Sequence, residues 1–168
     1  MVLITRAAIC LIANDWCGVS NFEKFAETIP GKTTAFISRI AKERQCYICF
    51  GMLEKAQQGV YSSAVLIDKS GQIVHVHRKI SEQPPFTTGN QVTVVDTEFG
   101  KFSVLLCGDL FDDEIKAKVS KDIKFLILPL ARSFDGKSPD MERWQQEERQ
   151  AYADEVKKVG VTALIVNS

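Results

Sequence analysis

Two short apolar runs, Phe102-Ser103-Val104-Leu105-Leu106 and Phe125-Leu126-Ile127-Leu128, most limit what this chain can fold into. Each reads as a buried strand. Segments with helical spacing alternate with them. Thr33 or Thr34 caps a predicted helix running to about Arg44, with Phe36, Ile37, Ile40 and Ala41 on the face that packs against a sheet. Asp112 to Lys121 reads as a second helix, with acidic residues in its first turn where the helix dipole favours them. Pro139 to Lys158 reads as a longer third helix, with Pro139 at a tolerated early position. Trp144, Glu148, Ala151, Tyr152 and Val156 recur on it at helical spacing.

Further strands are expected at Ala7 to Ala13, Cys46 to Leu53 and Val161 to Val166. Phe22 to Glu27 suggests a helical turn before Pro30-Gly31. Val60 to Ile67 and Ile73 to His77, joined by Asp68-Lys69-Ser70-Gly71, have the spacing of an antiparallel hairpin. Val92 to Val95 and Phe102 to Leu106 form another close pair around Phe99-Gly100. Strands alternating with helices around an antiparallel meander define a layered α/β or α+β domain. The 168 residues suffice for one domain, residues 1–168, with a real core.

Charge and cysteine content narrow the classes. Lys plus Arg and Asp plus Glu both number 21, so no broad basic field recommends nucleic acid as a partner. A surface without net charge is compatible with self-association. No apolar stretch reaches the length of a membrane span, and the start lacks a basic leader with a small-residue cleavage site. Five cysteines, an odd number without dense spacing, favour a reduced, cytoplasmic setting.

Among reactive residues Cys107 comes first. It ends an apolar run and is followed at once by Gly108-Asp109, so the thiol sits on a sharp strand exit facing a cleft. A buried free cysteine acting as a small hydrophobe is the commoner fate of such a residue. Arg78-Lys79 ends another strand, and a cation near a thiol favours the nucleophilic thiolate. His75, His77 and Lys79 share one strand face by period two, yet no third ligand lies nearby in sequence, so no metal site is assigned. Cys46 and Cys49 form a lone C-x-x-C whose side chains point to opposite faces of a strand. Gly31-Lys32-Thr33 lacks the leading glycine of a phosphate loop, and no G-x-S-x-G is present. Glu82 follows Lys79 by three residues, where it can orient the lysine or bind a substrate amide.

Four ordered blocks carry a resemblance: His77-Arg78-Lys79, Phe86-Thr87-Thr88-Gly89-Asn90, Val94 to Gly100, and Leu105-Leu106-Cys107-Gly108-Asp109-Leu110-Phe111. Together they resemble the nitrilase, or carbon–nitrogen hydrolase, superfamily, and the likeness extends over roughly Glu23 to Ser168. It implies a four-layer α-β-β-α sandwich, shortened at both ends in this chain. It also implies cofactor-free cysteine hydrolysis of amides or nitriles. The sulfur and the ammonium are expected to meet in a hollow between the two sheets. By the resemblance Cys107 is the nucleophile, Lys79 stabilises the tetrahedral intermediate and Glu82 matches a second glutamate. Gly108 and Asp109 fall where substrate contacts belong. The family's general-base glutamate has no counterpart. Asn14 occupies its position, Asp15 is shorter and shifted, and asparagine cannot take a proton from a thiol. A hydrolase of impaired turnover is therefore the first expectation, and a catalytically dead binding or assembly module the alternative. Family members associate through helices matching Asp112 to Lys121 and Pro139 to Lys158, so a homo-oligomer is expected.

Overall fold

A computed structural model gives the fold and describes residues 22–130 and 141–167. The expected strand at Ala7 to Ala13, Asn14, Asp15 and Pro139 lie outside the described residues. Two sheets form. The first has strand order β1 (Ile48–Ala56), β2 (Gly59–Ile67), β3 (Ile73–Arg78), all antiparallel. The second has order β4 (Val95–Thr97), β5 (Gly100–Val104), β6 (Phe125–Leu130), β7 (Thr162–Asn167), antiparallel at the first pair and parallel at the next two.

Period-two alternation sorts the side chains into layers. Ala64 and Leu66 of β2 meet Val95, Phe102, Val104, Leu106 and Ile127 between the sheets. The opposite face of the first sheet, with Ile48, Phe50, Met52, Val65 and Ile67, packs under helix α1 (Lys32–Arg44) through Ala41. The opposite face of the second sheet, with Leu126, Leu128 and Leu130, is covered by Ile115, Tyr152 and Val159. Those come from α2 (Asp113–Ala117) and α4 (Arg149–Val159). The result is the α-β-β-α layering that the sequence implied.

Several boundaries differ from expectation, each for a local reason. The α1 N-cap is Gly31, not a threonine, and the preceding chain supplies the capping groups. Glu27 accepts the Thr33 N–H at 2.9 Å and the Thr33 hydroxyl at 2.7 Å. The Thr33 backbone and hydroxyl bonds hold the Glu27 carboxyl below its ordinary range. Phe36 is 53% exposed, because Ala41 with the partly buried Ile37 and Ile40 fills the contact. The strand expected at Val92 to Val95 begins only at Val95. The helix expected over Asp112 to Lys121 is one turn, Asp113–Ala117, whose first N–H groups are met by Asp112. A 3₁₀ turn, Cys107–Phe111, precedes it. The third helix starts within the described residues as α3 (Met141–Arg143), widens to a π turn over Trp144–Glu148 and continues as α4.

Leu126→Ala, at a site with 0% exposure, is expected to cost about 2–5 kcal/mol in urea unfolding. Phe36→Ala should stay within about 0.5 kcal/mol of the parent.

Candidate active site

Two strand ends meet at the site. The chain leaves β3 at Arg78, and Lys79 is tied on both sides: its N–H donates to Ser62 O at 2.8 Å, and its carbonyl accepts Gly89 N–H at 2.7 Å. The returning loop runs so close that a Cβ on Gly89 would stand 2.1 Å from the Arg78 carbonyl oxygen, which is why glycine sits there. The second sheet supplies Leu105-Leu106 and then Cys107, whose φ is +43°. This left-handed conformation is costly for a residue with a Cβ, of order 1–3 kcal/mol. It turns the chain sharply at the thiol and starts the 3₁₀ turn.

Asp109 joins the two ends. Its Oδ1 accepts the N–H groups of Ile80 at 2.9 Å and Ser81 at 2.8 Å, and its Oδ2 accepts Leu106 N–H at 3.1 Å and pairs with His77 Nε2 at 2.8 Å. Asp109 is 0% and His77 3% exposed. Burial pushes the Asp109 carboxyl up, but the His77 hydrogen bond and the backbone donors outweigh it and hold the group below its ordinary range. An ionised carboxylate accepts only, so His77 presents Nε2–H to it. The substrate contact expected of Asp109 is thereby corrected: its oxygens face protein donors inside the turn.

Lys79 donates to Glu82 Oε1 at 3.1 Å, and Ser62 Oγ donates to Glu82 Oε2 at 2.7 Å. Glu82 is buried. Arg78 turns to the other face of the first sheet. There its guanidinium binds Glu54 at 2.8 and 2.5 Å and lies 4.2 Å from the Tyr61 ring centroid, away from the thiol. His75 is driven down to about 4 by burial and then by His77, so it is a neutral imidazole at pH 7. Cys46 packs on the α1 side and Cys49 between the sheets, as their spacing requires. Burial pushes the Cys49 thiol up to about 12, which leaves it unreactive at neutral pH. Among the described residues no cluster of three or more His, Cys, Asp or Glu is arranged to hold a metal ion.

A hollow of about 360 Å³ opens beside the sulfur. Its walls are Cys107, Gly108 and Phe111 from the turn, and Glu147, Glu148, Ala151 and Tyr152 from the helix. One wall of this hollow is helical, and Lys79 is not among the residues that line it. Lys79 reaches the turn at Gly108 instead: a Cβ built there would lie 3.9 Å from Lys79 Cε and 3.1 Å from Ser81 Oγ. Tyr152 went unassigned in the sequence. Its hydroxyl lies 3.4 Å from Cys107 Sγ. Helical spacing turned it inward, but nothing in the sequence named its target.

The two-sheet fold points to a class, and the comparisons agree with it. The family model described as carbon-nitrogen hydrolase matches residues 14–155, and the chain belongs to that family. Nitrilase homolog 2 of Dictyostelium discoideum is 32% identical over 127 residues, covering 66% of this chain and 39% of that protein. Omega-amidase NIT2-B of Xenopus laevis is 27% identical over 127 residues, covering 67% and 46%. The chain thus spans less than half the length of these relatives. A carbon-nitrogen hydrolase crystal structure from Helicobacter pylori G27 superposes with a TM-score of 0.67 at 24% identity, covering 80% of this chain and 50% of that one. An amidase variant from Nesterenkonia sp. AN1, with acrylamide added at its active-site cysteine, gives 0.62 at 18% identity, covering 80% and 53%. No helix among the described residues is long and apolar enough to cross a membrane.

Two outcomes test this geometry. Asp109→Asn is expected to cost about 3–5 kcal/mol at pH 7, the usual penalty for breaking a buried pair. The folded Asp109 carboxyl titrates below its unfolded value. Its contribution is therefore complete above the unfolded carboxylate range and disappears as pH falls through the folded value. Urea midpoints of parent and variant should converge in acid, and a constant gap would show that the charge is irrelevant. Separately, Cys107→Gly should be more stable than Cys107→Ala by about 1 kcal/mol, because only glycine occupies the +43° backbone without strain.

Proposed function

We propose that this chain hydrolyses non-peptide C–N bonds of small amides or nitriles through a thioester on Cys107. The observation that carries the reading is the placement of Cys107. It sits in a strained left-handed conformation at the head of a 3₁₀ turn and beside a hollow, with the Lys79–Glu82 pair against the next residue, Gly108. Strain at a residue that could sit elsewhere in a relaxed strand is a mark of a working group. The amidase named above, which shares the fold, also uses a cysteine at its active site.

In the amide reaction the Cys107 thiolate attacks the carbonyl carbon and forms a C–S bond. The carbonyl pair moves to oxygen, where the Lys79 ammonium and backbone N–H groups near Gly108 offset the charge. The C–N bond then breaks as the nitrogen takes a proton from water, ammonia or an amine leaves, and water cleaves the thioester to acid and free thiol. Glu82 holds the lysine by its 3.1 Å contact. Asn14 occupies the base position by sequence, so the thiol proton passes to water and turnover is low.

Incubation with small primary amides, read by ammonia release and by intact-mass detection of an acyl adduct on Cys107, tests this. Slow ammonia release that Cys107→Ala abolishes is expected. Asn14→Glu should raise turnover by about 10²–10⁴-fold, the usual contribution of a positioned base. Neither ammonia nor adduct, in the parent and in Asn14→Glu alike, would replace this reading with that of a binding module that keeps the fold.

A further inference from the structure

We propose that Tyr152 is a catalytic residue of this site, its hydroxyl donating to the Cys107 sulfur and holding it as the thiolate. The proposal rests on Cys107 being the nucleophile of the reading above. Tyr152 Oη lies 3.4 Å from Cys107 Sγ. The residue is 2% exposed, so its ring is fixed by packing. Phe111 meets the ring edge-on with centroids 4.8 Å apart, and Trp144 flanks it at 5.7 Å. A hydroxyl delivered this way needs no reorganisation when charge appears on sulfur.

The direction of the hydrogen bond follows from ionisation. A protonated thiol is a weak donor and a weak acceptor. Once its proton has left to water, the sulfur keeps the electron pair and can only accept, and the phenol is the donor. A hydrogen bond to an ionised acceptor is stronger than the neutral one it replaces, so the contact favours the thiolate. Other charged groups also face this sulfur and its turn. Lys79 and Glu82 pair on the β3 side, His77 and Asp109 pair within the turn, and Glu147 and Glu148 line the hollow. The Tyr152 contribution must therefore be read as a difference between variants.

The test is alkylation of Cys107 by iodoacetamide as a function of pH, with the site confirmed by peptide mass mapping. In that reaction a C–S bond forms and iodide leaves, and no amide substrate is needed. Tyr152→Phe keeps the ring and removes the hydroxyl. The pH of half-maximal alkylation should move up by about one unit, with a roughly tenfold slower reaction near pH 7. Trp144→Phe loosens the ring packing but keeps the hydroxyl, and its midpoint should match the parent. An unchanged midpoint in Tyr152→Phe, or an equal shift in both variants, overturns the proposal. Should Tyr152→Phe not fold, 3-fluorotyrosine at position 152 retains ring and hydroxyl while making the donor stronger. It should lower the midpoint, and no change overturns the proposal. A midpoint shift without any amide turnover would leave the Tyr152 hydrogen bond to the thiolate standing and remove both the hydrolase reading and the catalytic role, whereas turnover without a shift would keep the hydrolase reading and overturn the Tyr152 assignment.

Discussion

The buried carboxylate of Asp109 is the interaction on which the rest of the site depends. It collects three backbone N–H groups and one imidazole from two different sheets. The loop after β3 and the strand exit before Cys107 would otherwise be separate surface features. Four donors converging on one anion fix the distance between them and desolvate it at the same time. An unpaired charge there would be severely unfavourable, so the arrangement is kept or lost as a unit. Lys79 and Gly108, the residue after Cys107, inherit their proximity from this junction.

The two cations that end β3 show how one residue of register divides labour. Ser63 pairs with Arg78 and Ala64 with His77, so the strand pleat sends Arg78 outward and His77 inward. Arg78 is committed to Glu54 and Tyr61 on the outer face of the first sheet. Lys79, one residue beyond the strand, follows the loop back toward the second sheet and meets Glu82. A shift of one residue in β2–β3 pairing would exchange these roles and put a guanidinium against the inter-sheet core. The apolar inner face of Ala64 and Leu66 opposes that shift.

The hollow beside Cys107 depends on the third helix. The π turn over Trp144–Glu148 leads directly into α4, which carries Tyr152 against both the core and the sulfur. The same ring therefore closes the core of the second sheet and borders the Cys107 sulfur. Rigid placement of this hydroxyl needs no dedicated loop.

The sequence by itself marked most strands of the described residues and their order along the chain, because apolar periodicity and turn residues are local signals, whereas the four-layer arrangement followed only from the family resemblance. It also marked Cys107 and Lys79, since a thiol before Gly-Asp and a lysine at a strand end stand out at short range. It misjudged the α1 cap, the exposure of Phe36 and the extent of the helix after Cys107, where partners such as Glu27 decide the outcome through contacts outside the helical pattern. Only the tertiary structure decided that Asp109 faces inward, that Arg78 faces away and that Tyr152 reaches the sulfur. Each of those depends on groups 24 to 45 positions apart in the chain. No spacing rule spans such a separation, because packing of whole layers sets which side chains meet.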